Sequence, residues 1–170
     1  MLIARKAVEV NFGGVSIFAA TLKIETMPSV ITRQQLETVI RQGSKISLNG
    51  QNLQGLDLSG LNLNDFDRSY ATLDAANMHD TNLNNAILWA VQARNVRFDN
   101  ANLSGANLGT ANLSGSNLHG ANLSKASLLG ANLEEVDLRD ADLRMANLQN
   151  VILSRAIYNA ETKWPSGFKP

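Results

Sequence analysis

From Ile46 to Ala160 the chain repeats every five residues without insertion, and that period constrains the fold more than any other feature. The clearest stretch starts at Ala101 and reads Ala-Asn-Leu-Ser-Gly, Ala-Asn-Leu-Gly-Thr, Ala-Asn-Leu-Ser-Gly, Ser-Asn-Leu-His-Gly, Ala-Asn-Leu-Ser-Lys. With the third residue of each unit taken as its core position, residues 48, 53, 58 and onward in fives to 158 give 23 units, of which 18 carry leucine. The window holds 21 leucines in all, so random placement would put about four in this phase. Two residues before the core position stands alanine in 12 units, and one residue before it asparagine or aspartate in 15.

An α-helix turns about 100° per residue, so leucines five apart rotate by about 140° and draw no stripe along it. In an extended segment, residues two apart share a face, which puts the small residue and the leucine on one side and the asparagine on the other. The last two residues of each unit are rich in Gly, Ser, Asn and Asp, the residues of tight bends. No such unit buries its leucine alone, so the units must coil and stack into an all-β solenoid.

The motif resembles that of the pentapeptide repeat family, Ala-Asp/Asn-Leu-x-x, over 115 of the 170 residues. The resemblance implies a right-handed quadrilateral β-helix with four units per coil, about 5.75 coils here, and, the family being abundant in cyanobacteria, a cyanobacterial member. At about 4.8 Å per coil the column is roughly 28 Å tall. Departures from the motif are Arg68, Met78, Ala93, Phe98 and Tyr158 at core positions and Gln51 at a small-residue position. Met78 and Phe98 are expected to stack inside, and Ala93 to leave a void unless neighbours fill it. Arg68, if inward, is a buried charge, so the reading expects Asp67 or Asp65 to meet it, or the corner to distort.

Open coil ends invite stacking, and both flanks offer lids. Residues 1–45 read as a cap segment. Thr32 and Gln35 form a capping box, with Ile31 and Leu36 at the staple positions, ahead of a short helix over about 33–42 that carries Leu36, Val39 and Ile40. Upstream, Val8 to Phe12 and Val15 to Ala19 alternate around Gly13-Gly14 as a hairpin does. Residues 161–170 read as a closing segment in which Trp164 and Phe168 cover the last leucines and offer an end contact to a second copy.

The chemistry-bearing residues are sparse. There are 15 basic and 15 acidic residues and no cysteine, which removes disulfides, thiolate metal sites and cysteine nucleophiles. The uncharged stretch from Phe12 to Ala20 is too short to span a membrane. Arg5 and Lys6 precede it, but Glu9 and Asn11 interrupt the start of a signal-like apolar run, so a cytoplasmic protein is expected over a secreted one. No nucleophile-base pair, phosphate loop or paired carboxylates stand out, and the reading is of a non-enzyme without cofactor. His79 and His119 fall on one face two coils apart with Asp99 between them; a metal would need both rings to lean toward Asp99, and a solvated charge ladder is the reading taken.

On the face of Leu48, Arg68, Leu88, Leu108 and Leu128, the outward positions hold Tyr70, Ile87, Trp89 and Leu129, with Gly109 leaving a gap. Exposed apolar groups around a tryptophan mark a binding surface, unless the N-terminal segment folds back over them. The function expected is a protein-interaction or scaffold module, with a regulatory role as one use of it, an unidentified protein partner, no direct nucleic-acid or membrane contact, and a monomeric or weakly end-to-end dimeric state. The alternative is imitation of DNA toward gyrase, a role the resemblance brings with it. That role needs acidic faces, and residues 46–160 hold 11 acidic against 7 basic groups, only mildly acidic.

Overall fold

The computed structural model describes residues 8–12, 15–19, 31–41 and 48–170. Over the repeat, each residue before a core position pairs in parallel with its counterpart 20 residues on, from Asn52↔Thr72 to Asp137↔Ile157. Twenty residues hold four units, so each coil has four sides. Around each rung the core amide donates to the coil above, as Leu53 N–H does to Thr72 C=O, and that residue's own N–H donates back to Gln51 C=O. These are the slanted, evenly spaced bonds of a parallel ladder, cut to one bridge per side.

The corners follow from the last two residues of each unit. At most core positions the N–H three residues on closes back on the core carbonyl, as Leu56 N–H does on Leu53 C=O; at Ala93 the Ser116 hydroxyl bridges instead, accepting from Val96 N–H and donating to the Ala93 carbonyl. The second bend residue has positive φ throughout, +68° at Gly55 and +54° at Thr110. A closed turn with positive φ at its third residue is type II. Glycine takes that conformation freely; Asn and Asp tolerate it, and the stack holds Ala75, Thr110 and Met145 in it at a cost of about 1 kcal/mol or more each. The asparagine before the core residue accepts from the first bend N–H, as Asn102 Oδ1 does from Ser104 N–H at 3.2 Å. That bond satisfies the one amide per unit with no backbone partner, which explains the residue type.

Every core position from Leu48 to Leu148 is buried. Met78 and Phe98 both lie inside, on consecutive coils of one side. Ala93 is flanked in its own coil by Phe98, Val91 and Val96, larger residues than the leucine and alanines usual there, and the Ser116 hydroxyl donates to its carbonyl at 2.7 Å. Volume lost at one position is thus regained beside it.

Arg68 departs from expectation. It points inward with 0% exposure, yet its corner keeps the regular pattern: its N–H donates to Ile87 C=O at 2.8 Å, its carbonyl accepts from Ala71 N–H at 3.0 Å, and Tyr70 has φ +60°. Neither acid reaches it. Asp67 accepts from the Ser69 N–H and hydroxyl, and Asp65 from the Asn64 amide. Among the described residues none of its three guanidinium nitrogens has a hydrogen-bond partner, and the Phe66 ring lies under it, 5.1 Å away. Burial pushes the guanidinium down to about 10, so it stays charged at neutral pH.

At the N-terminal side, β1 (Val8–Phe12) and β2 (Val15–Ala19) pair antiparallel with Phe12 opposite Val15; residues 13 and 14, where the sequence places the turn, lie outside the described residues. Helix α1 spans Arg33–Arg41; Gln42, read as its last residue, lies outside the described residues. Its capping box is made, Thr32 N–H donating to Gln35 Oε1 at 2.8 Å and Gln35 N–H to Thr32 Oγ1 at 3.4 Å. Ile31 and Leu36 are buried in the solenoid's core cluster, and the Arg33 guanidinium donates to the carbonyls of Asp57 and Ser59. Leu56, Leu61 and Phe66 stand where alanine is usual, and these larger, half-buried groups widen the apolar floor beside the helix.

The repeat does not run unbroken to Ala160. After Asp137↔Ile157 the next rung is Asp142↔Lys163, so one extra residue enters between them. The slip brings Thr162 to a small-residue position, its hydroxyl donating to Leu138 C=O at 2.9 Å, and Trp164 to the place of the last core residue. Tyr158, with no coil over it, is 45% exposed and meets the Trp164 ring edge-on at 5.4 Å, while Phe168 stacks on Trp164 at 5.4 Å.

Candidate functional site

The site begins with the ladder. Asp67, Ile87, Asn107, Ser127 and Asn147 form one line of rungs, so Tyr70, Ile87, Trp89 and Leu129 lie along one side of the column, with Gly109 on the coil between Trp89 and Leu129. Tyr70 is 61% and Ile87 42% exposed, while Trp89 and Leu129 are half-buried. The expected gap at Gly109 is filled: the Trp89 ring lies across it, so that a Cβ built there would overlap the ring's carbons. Gly109 is buried as a result, and Trp89, Gly109 and Leu129 make a continuous apolar strip. Gly109→Val is expected to push the indole outward, cost about 1–3 kcal/mol by overpacking, and increase acrylamide quenching of Trp89 emission in a Trp164→Phe background.

Charge sets this side apart. Of its described outward residues only Asp67 is charged, whereas the other three sides carry Asp–Arg pairs. Arg94 meets Asp74 at 2.5 Å, Arg139 meets Asp137 at 2.6 Å and Arg144 meets Asp142 at 2.6 Å. The hydrogen bonds from those arginines hold all three carboxyls below their usual 3.8. A carboxyl lowered in the folded state stabilises it above the unfolded value, and that contribution is lost as pH falls through the folded value. The expected outcome is an unfolding midpoint that drops below about pH 4, with a smaller drop between pH 7 and pH 3 in Asp74→Asn than in the parent.

The two histidines do not converge. His79 Nδ1 lies 2.6 Å from Asp99 and its Nε2 2.9 Å from Asp80, whereas His119 Nε2 turns to Asp140 at 2.9 Å. Among the described residues no group of three or more His, Asp or Glu is placed to hold a metal ion, and no helix is long and apolar enough to cross a membrane.

A second apolar region, missed in the sequence, surrounds the last coil. Met145 at 74% exposure, Ile152 and Ile157 stand outward beside Tyr158. Between Trp164's neighbour Pro165, Phe168 and the edge at Ala146 and Leu148 runs an open groove of about 430 Å³. The signal was present: Ile87, Ile152 and Ile157 are the three units in which isoleucine replaces the usual outward asparagine or aspartate.

Comparison with known proteins agrees with the ladder. The profile described as Pentapeptide repeats matches in 8 copies, over residues 52–89, 76–115, 94–128 and 116–155. No curated protein is significantly similar to the chain. Among solved structures, a pentapeptide repeat protein, Rfr23, of the cyanobacterium Cyanothece 51142 is 30% identical, covering 76% of this chain and 96% of that one at a TM-score of 0.40. One from the Arabidopsis thaliana thylakoid lumen is 28% identical over 67% of this chain and 72% of its own, with a TM-score of 0.37. HetL of Nostoc sp. strain PCC 7120, described as involved in heterocyst differentiation regulation, is 29% identical over 75% and 72%, with a TM-score of 0.29. The matched profile spans most of the five-residue ladder, and with it the chain belongs to the pentapeptide repeat family.

Proposed function

We propose that the protein is a non-enzymatic interaction module, a stiff four-sided column that docks a protein partner on the side of Tyr70, Ile87, Trp89 and Leu129. The observation that carries this reading is the Trp89 ring laid over Gly109 on a side with a single described charge. A rigid aromatic flanked by aliphatic groups supplies apolar contact area at small entropic cost, as interface anchors do. The partner it suits is itself apolar and uncharged at the contact. Trp89→Ala, with Ile87→Asp as a second variant, is expected to remove specific species from an affinity capture out of native lysate. An unchanged captured set rules this side out.

Two further features belong to the reading. The apolar last coil with Trp164 and Phe168 supports a weak end-to-end contact between copies beside a monomeric state, checked by sedimentation of the parent and Phe168→Ser. Imitation of DNA is disfavoured because the acids that would form an anionic stripe are matched by Arg94, Arg139 and Arg144. Gyrase supercoiling is expected to be unchanged by the added protein, and inhibition would reinstate that reading.

A further inference from the structure

Arg68 places a charged guanidinium inside the leucine column. Arg68 is fully buried, its Nε, Nη1 and Nη2 have no hydrogen-bond partner among the described residues, and the Phe66 ring faces it at 5.1 Å. A buried ion without a partner favours any state that returns it to water. In a solenoid each coil holds only its neighbours, so opening an inner coil breaks two interfaces and opening the terminal coil breaks one. Arg68 belongs to the second coil, directly above the coil of Leu48. The cheapest way to wet it is therefore to part the first coil from the second.

Helix α1 would travel with that coil. The Arg33 guanidinium grips the Asp57 and Ser59 carbonyls and lies 3.4 Å from the Asp57 carboxylate, all on the first coil. The interface that parts is well defined. Leu53, Leu58 and Leu63 N–H donate up to Thr72, Asn77 and Asn82 C=O, and Thr72, Asn77 and Asn82 N–H donate down to Gln51, Leu56 and Leu61 C=O. The next interface repeats these bonds one for one: Leu73, Met78 and Leu83 donate to Gln92, Arg97 and Asn102, which donate back to Ala71, Ala76 and Thr81.

We infer that α1 and the first coil form a hinged cap that opens as one unit at the Arg68 rung while the coils above stay closed. The cap exposes the apolar bore and a row of unpaired amides when it opens, which makes this end the protein's conformational switch point.

The test is residue-resolved hydrogen exchange on the full chain in low denaturant. Amides of Leu53, Leu58, Leu63, Thr72, Asn77 and Asn82 are expected to exchange together, at least about tenfold faster than those of Leu73, Met78, Leu83, Gln92, Arg97 and Asn102. Plain fraying of a terminal coil would give a difference too, so the deciding arm is Arg68→Leu, with Arg68→Met as a second variant. Either is expected to slow the first set at least about tenfold, because that opening wets residue 68, whereas fraying that leaves residue 68 dry would keep its rate; the second set slows only where it exchanges through global unfolding. Equal protection of the two sets in the parent, or first-set exchange that both variants leave unchanged, overturns the inference.

Discussion

Arg68→Leu stabilises the protein by about 2 kcal/mol, raising the unfolding midpoint by about 4–8 °C, the opposite of what removal of an arginine usually does. The substitution puts the family's own residue at a core position whose backbone already has the regular pattern, so no rearrangement is required. It removes a guanidinium whose three nitrogens have no partner among the described residues, at the loss of the cation–π contact with Phe66. Replacing buried ions with well-packed apolar groups is neutral or stabilising by about 1–4 kcal/mol, and Arg68 lacks even the partner that usually defrays the burial. Thermal unfolding at neutral pH measures it; a lower midpoint means the guanidinium has a compensation this account omits.

The second large effect contrasts two neighbours in one unit. Leu113 is fully buried in the column, and Asn112 faces outward, its Oδ1 accepting from Ser114 N–H at 3.2 Å. Leu113→Ala leaves a cavity in a narrow column that has no second layer to collapse into it, and is expected to cost about 3–5 kcal/mol. Asn112→Ala gives up one partly wet turn bond, at about 1 kcal/mol or less. Denaturant titration of both variants checks the pair, and similar losses would mean that inward and outward positions are not separated as described.

How much of this was legible in the sequence depends on which interaction sets each feature. The five-residue phase was readable because leucine placement, small-residue placement and bend chemistry all repeat together, and each reports on a different part of one unit. The inward course of Arg68 was not. The expectation that an acid would meet it, or that the corner would yield, weighed the side chain above the backbone. In the folded chain the rungs and turn bonds from the coils on either side hold the backbone in phase, and the side chain follows. The phase slip before Lys163 was hidden for a related reason: Tyr158 occupies a core position in sequence, but Thr162 and Trp164 make the hydrogen bond and the packing that set the last side.

On the candidate face, the choice of Tyr70, Ile87, Trp89 and Leu129 rested on the 20-residue phase, and that phase carries them onto one side. The Trp89–Gly109 overlap is not legible in the sequence, because spacing fixes where a Cα sits and says nothing of where a long ring comes to rest. Ile152 and Ile157 stand on two different sides of the last coil, paired with Asn132 and Asp137, so the 20-residue phase that gathers the candidate face does not gather them. Charge pairing such as Arg94 with Asp74 also lay beyond the pattern, since it joins residues 20 apart whose side chains choose their partners only once the coils are stacked.

The most direct test of the five-residue ladder is amide exchange read residue by residue across residues 101–125. In each unit four amides donate to backbone carbonyls, while the residue after the leucine donates only to an asparagine side chain where one is present, as at Ser104, Ser114 and Ser124. The account predicts one fast amide in every five, at those residues, with the amides of Leu103, Leu113 and Leu123 among the slowest. Fast exchange at the leucine amides, or protection without a period of five, would contradict it.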